Sequence, residues 1–115
     1  MINRLHHIAI IASSEESIVF YTNLGFEEIN RVERGYDTVV SMAGVCNLEI
    51  YIDPTHPKRM TNPEALGLRH LAFNVDNLDI LTRIFNGEPV REDTEKRYMF
   101  IKDPDGLPIE LCECK

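Results

Sequence analysis

Four side chains able to bind a metal recur in pairs along the chain: His7 with Glu49, and His70 with Glu110. The histidines open two matching stretches, His7-Ile8-Ala9-Ile10 and His70-Leu71-Ala72-Phe73, offset by 63 residues. The glutamates sit within Leu48-Glu49-Ile50 and Ile109-Glu110-Leu111, offset by 61. Two imidazoles and two carboxylates suit a divalent transition ion better than calcium, which prefers an all-oxygen shell. Such a set also leaves positions open for water or substrate oxygens. Nickel, cobalt, zinc, manganese and iron all accept it, and the sequence does not choose among them. A single histidine in a strand is usually a hydrogen-bonded or surface residue, and a single glutamate between apolar neighbours usually faces solvent. The argument for ligation is the recurrence of both residue types at equivalent places, since a repeat built only for packing need not repeat its ligands.

The elements that must position these residues are legible as a duplicated β-α-β-β-β unit. Leu5–Ile11 alternates as a strand. Ser13 and Glu16 form a capping box for a helix whose apolar stripe is Ile18, Val19, Tyr21 and Leu24, stopped by Gly25. Strands are expected at about 26–33, 36–42 and 46–52, with Arg34-Gly35 and Ala43-Gly44 as turns. The second passage opens with the strand Leu68–Val75. Asp76 is the expected N-cap of a helix presenting Leu78, Ile80, Leu81, Ile84 and Phe85, closed by Gly87. Strands follow at about 88–92, 97–103 and 107–113, the last after the turn Asp103-Pro104-Asp105-Gly106. The charged stretch Arg91–Arg97 reads as a solvated turn. One module therefore spans about 3–52 and the other about 67–114, joined by a Pro-containing link at 53–66. Each holds about 50 residues, too few for a stable core alone, so the modules must pack together or with a second chain.

Alternation assigns the faces. In each of the four strands that carry a candidate ligand, the apolar residues share one face and His7, Glu49, His70 or Glu110 lies on the other. Met99 and Ile101 go to the helix side, which leaves Tyr98, Phe100 and Lys102 as candidate substrate contacts. His6 points away from His7 and reads as a packing residue, and His56 as a solvated loop residue. Cys112 shares the parity of Glu110. It reads as a small core filler, with a nucleophile or extra ligand as the alternative.

Composition narrows the partners. Twelve Lys/Arg against nineteen Asp/Glu give a net charge of −7 over 115 residues. That field disfavours nucleic acid and anionic membranes. No apolar run reaches the roughly 20 residues of a membrane span, and the amino terminus does not read as a signal peptide. Three cysteines (Cys46, Cys112, Cys114) are no disulfide framework and suit a reducing cytoplasm.

Four segments together resemble the vicinal-oxygen-chelate superfamily, the group of glyoxalase I, bleomycin-resistance proteins and extradiol dioxygenases. They are Leu5–Ile10, Phe20-Tyr21-Thr22-Asn23-Leu24-Gly25-Phe26, Gly67–Phe73, and Asp103-Pro104-Asp105-Gly106 running into Ile109-Glu110-Leu111. The resemblance covers essentially the whole chain. It implies an α+β fold: two tandem βαβββ modules, each with its first and fourth strands adjacent, pairing into a curved mixed-sheet semi-barrel. It also implies one ion held by His7, Glu49, His70 and Glu110, a quartet similar to that of bacterial glyoxalase I. The implied chemistry is metal-assisted proton transfer next to a carbonyl of a small vicinal-oxygen substrate such as a hemithioacetal. Glu110 would be the chief base, with Glu49 its counterpart. The alternatives are a metal-dependent thiol transferase or dioxygenase, or a non-catalytic antibiotic-binding protein. Small members commonly form homodimers. A thiol cosubstrate fits the family, but Ile11 stands where glyoxalase I carries a glutathione-binding arginine, which disfavours glutathione.

Overall fold

Each half of the chain lays down a strand, a short helix and three more strands. The computed structural model describes residues 1–114. The first half runs β1 (Ile8–Ala12), α1 (Glu16–Asn23), β2 (Glu27–Glu33), β3 (Thr38–Ala43) and β4 (Leu48–Ile52). The second runs β5 (Leu71–Asn74), α2 (Leu78–Ile84), β6 (Arg91–Glu92), β7 (Lys96–Lys102) and β8 (Pro108–Cys114). The strand order is β1-β4-β3-β2 in one sheet and β5-β8-β7-β6 in the other. In both sheets the first strand runs parallel to the fourth and the remaining pairs are antiparallel. This is an α+β fold of two mixed four-stranded modules. The chain divides into two units, Met1–Pro57 and Lys58–Lys115, and the boundary falls inside the expected link.

One face of each sheet carries the core. In the first unit Ile10, Val40, Met42, Leu48 and Ile50 are buried together with Ile18 and Tyr21 of α1. In the second, Met99, Ile101, Ile109 and Leu111 are buried, as are Leu78 and Phe85 at the two ends of α2. The alternation placed Ile10, Leu48, Ile50, Met99, Ile101, Ile109 and Leu111 on these faces correctly.

The structure departs from the sequence reading in details that share a physical cause. Glu15, not Ser13, occupies the N-cap of α1, and its own side chain makes no capping bond. Ser14 Oγ instead accepts the Glu16 N–H at 3.2 Å. Asn77, not Asp76, caps α2, its side chain accepting the Ile80 N–H. Val19, Ile80 and Ile84 are exposed rather than core-facing. Helices of eight and seven residues are barely two turns long, so only a narrow stripe of each meets its sheet.

Gly87 does not stop α2. The helix ends at Ile84, and Gly87 forms a bridge to Ile101 of β7. A Cβ at Gly87 would lie 2.5 Å from the Phe100 carbonyl oxygen, so this glycine is required for close backbone approach. The stretch 91–97 is not a free turn either. It contains β6 and the start of β7, and the Arg97 guanidinium is shared among Asp79, Glu92 and Glu113.

Candidate metal centre

Parallel pairing of the first and fourth strands builds the same local arrangement in both units. In the first, Ala9 lies opposite Glu49; in the second, Ala72 lies opposite Glu110. Each histidine therefore sits two residues before the alanine facing its glutamate, a diagonal relationship on one face of the sheet. The small alanine side chain leaves room for the imidazole and the carboxylate to lean together. His7 Nε2 is 3.4 Å from Glu49 Oε1, and His70 Nε2 is 3.8 Å from Glu110 Oε1.

Those distances can be set against what an ion requires. Two donors on a tetrahedral ion with bonds of about 2.1 Å lie about 3.4 Å apart. The first pair has that spacing, and the second needs to close by a few tenths of an ångström. Both residue pairs thus fit a divalent ion by donor type and separation. Among the described residues no three His, Cys, Asp or Glu side chains group at ligand distance, so each unit presents a pair.

Neighbouring groups orient the imidazoles differently. His6 is exposed, which corrects its reading as a packing residue. Its Nδ1 is 2.8 Å from His7 Nδ1, and the two rings meet edge to face. If His7 Nδ1 donates in that bond, its Nε2 lone pair is left facing Glu49, as a ligand requires. At His70 the Arg69 guanidinium lies 3.3 Å from Nδ1. An arginine can only donate, so this contact puts the ring proton on Nε2, and ligation through Nε2 requires the exposed Arg69 to move aside.

The glutamates also have unlike partners. Tyr51, two residues beyond Glu49 on the same face, donates its hydroxyl to Glu49 Oε1 at 2.9 Å. The bond to this carboxylate pushes the Tyr51 phenol above its ordinary value. The Arg34 guanidinium, paired with Asp37, lies over both the Tyr36 and the Tyr51 rings. In the second unit, Lys96 Nζ is 2.6 Å from Glu110 Oε2, and the bond raises the Lys96 ammonium above its usual value. The Glu110 side chain is 10% exposed and that of Glu49 32%.

Tyr98 and Phe100 share the face of Glu110, opposite Cys112 and Glu110 respectively. The Phe100 ring meets the His70 ring edge to face at 5.1 Å. Lys102 is exposed at the end of β7 opposite Pro108. The lysine that touches a candidate ligand is Lys96, which sequence reasoning missed. Its signal was available: residues 96, 98 and 100 share parity, and a strand begun at 96 rather than 97 would have included it. Cys112 is buried, with its thiol toward the Phe73 carbonyl at 3.5 Å; burial pushes that thiol up, which fits a packing role. His56 is an exposed residue whose Nε2 lies 3.6 Å from Asp53 Oδ2.

Residues 4–111 match the model of the Glyoxalase/Bleomycin resistance protein/Dioxygenase superfamily. The chain belongs to this superfamily. It is 44% identical to the protein YwkD of Bacillus subtilis (strain 168), over 98% of either chain. The crystal structure of a glyoxalase family protein from Enterococcus faecalis superposes with a TM-score of 0.85 at 40% identity, covering 96% of this chain and 97% of that one. The trypanothione-dependent glyoxalase I of Leishmania major shares the fold, with a TM-score of 0.71 at 22% identity over 96% of this chain and 86% of that one. The two-module architecture is thus that of the superfamily. Among the described residues no helix is long and apolar enough to cross a membrane.

Proposed function

We propose that this superfamily member is a metal-dependent, glyoxalase-like lyase or isomerase that moves a proton next to a carbonyl of a small vicinal-oxygen substrate. The observation that carries the reading is the repeated His–Glu pair, at 3.4 Å in one unit and 3.8 Å in the other, in the same diagonal register beside an alanine. His7 with Glu49, and His70 with Glu110, are the pairs that would supply ligands to a divalent ion. A divalent cation there supplies a Lewis acid for negative charge developing on substrate oxygens. Glu110 takes the substrate proton and returns it to the neighbouring carbon, with Glu49 as its counterpart. Tyr98 and Phe100 offer an aromatic wall beside Glu110 for the substrate's apolar part.

Ile11, an exposed residue on the face of Ala9, is apolar where a glutathione carboxylate would need a cation. Any thiol cosubstrate is therefore proposed to be one other than glutathione. A homodimer is the proposed working assembly.

The test is chelator stripping followed by reconstitution with nickel, cobalt, zinc, manganese or ferrous ion, with methylglyoxal–thiol turnover measured for several thiols. Stoichiometric binding of a divalent ion with thiol-dependent turnover is the expected result. Absence of stoichiometric binding of any of these ions defeats the metal reading. Binding without turnover on any thiol defeats the lyase reading, and oxygen-dependent turnover with ferrous ion alone would replace it with the dioxygenase.

A further inference from the structure

Lys96 stands opposite Cys114 in the β7–β8 register, while Glu110 lies opposite Phe100. To reach Glu110 the lysine stem leans forward along its own strand toward Phe100, and Nζ passes 4.8 Å from the Tyr98 ring centroid. Holding a long, partly exposed side chain in that one geometry costs rotamer entropy. What offsets the cost is a charge-assisted bond to a carboxylate with little access to water. A carboxylate so placed is strongly disfavoured without a counter-charge. Glu49 shows the contrast, being more exposed and bonded by the neutral hydroxyl of Tyr51.

We propose that Lys96 is the resident counter-ion of Glu110: it holds this carboxylate in place before an ion is bound and competes with a divalent ion for it. The inference rests on the metal reading above. Lys96 occupies Oε2 and leaves Oε1 toward His70, so the second pair is kept assembled with one oxygen on offer. An incoming dication must then share the carboxylate with an ammonium that repels it. Lys96 is accordingly a positioning residue that lowers metal affinity while keeping the ligand pair preformed. In the first unit the position four residues before Ser41, the cross-strand neighbour of Glu49, is Asp37 rather than a lysine, and Glu49 is paired with His7.

The experiment is zinc calorimetry and thermal melting of the metal-free full-length chain, comparing wild type, Lys96→Met, Lys96→Arg and the double variant Lys96→Met with Glu110→Gln. Lys96→Met should melt lower than wild type, and adding Glu110→Gln should recover part of the loss by removing the orphaned charge. Lys96→Met should bind zinc tighter by about tenfold, within the range over which residues outside the ligand set tune metal sites. Lys96→Arg should bind no tighter than wild type. Lys96→Gln, which keeps a neutral donor, replaces the methionine variant if that one does not fold, with the same expected direction. Unchanged or weaker zinc binding in the neutral variant, or an unaltered melt, overturns the counter-ion role while leaving the metal reading intact. Failure of the wild type to bind zinc or any other divalent ion removes the metal reading itself, and the competition with it.

Discussion

The Tyr51 hydroxyl donates to Glu49 Oε1 at 2.9 Å, whereas the residue two beyond Glu110 is Cys112, whose thiol turns to the Phe73 carbonyl at 3.5 Å. The repeat thus keeps its ligand pairs and changes their supports. The carboxylate holds the Tyr51 proton on, raising the phenol above its ordinary value of 10.0. Because the folded value is raised, the stabilisation from this bond is complete below the unfolded pKa and is lost as pH rises through the folded one. In a phenolate absorbance titration, Tyr51 should titrate later than an unperturbed tyrosine, and its contribution at high pH should vanish in Tyr51→Phe. Loss in Tyr51→Phe of a step at the position of an unperturbed tyrosine, rather than of a late one, would contradict the assignment.

Glutamine substitutions separate the roles of the two glutamates. Glu110→Gln and Glu49→Gln each remove one anionic donor while keeping the side-chain shape. Each should weaken divalent-ion binding by at least about tenfold, measured by competition with a chromophoric chelator. Turnover at saturating metal should fall further in Glu110→Gln than in Glu49→Gln. Full turnover in Glu110→Gln would take that residue out of the proton-transfer step.

Cys112 and Cys114 are two residues apart but differ in exposure, the first buried and the second exposed. Burial also raises the Cys112 thiol, which lowers its thiolate fraction at neutral pH. A brief thiol-labelling pulse on the native protein should modify Cys114 and spare Cys112 until denaturant is added. Native-state labelling of Cys112 at the rate of Cys114 would argue against its packing role.

Gly87 and Gly25 should both resist substitution, for different reasons. At Gly87 a Cβ would collide with backbone, 2.5 Å from the Phe100 oxygen, so Gly87→Ala must displace β7. A loss of about 1–3 kcal/mol is expected in urea unfolding, on the scale of overpacked sites. At Gly25 nothing lies within 4 Å, but φ is +107°. Gly25→Ala should cost about 1–2 kcal/mol through backbone strain alone. If Gly87→Ala unfolds at the wild-type urea concentration, the close approach to Phe100 is not a constraint.

The duplicated architecture, the buried strand faces and the His7, Glu49, His70, Glu110 pairing were legible in the sequence. These follow from alternation and from a repeat offset, both of which are local properties of the backbone. Even the alanines that make room for each pair, Ala9 and Ala72, stand in the repeated motif. Only the tertiary structure showed that Lys96 reaches Glu110, that Tyr51 rather than another neighbour holds Glu49, and that Gly87 serves a strand instead of a helix end. Each of these depends on the register between strands and on how far a flexible side chain leans along its own strand. Parity fixes which face a residue is on, but it does not fix what that residue touches across the sheet.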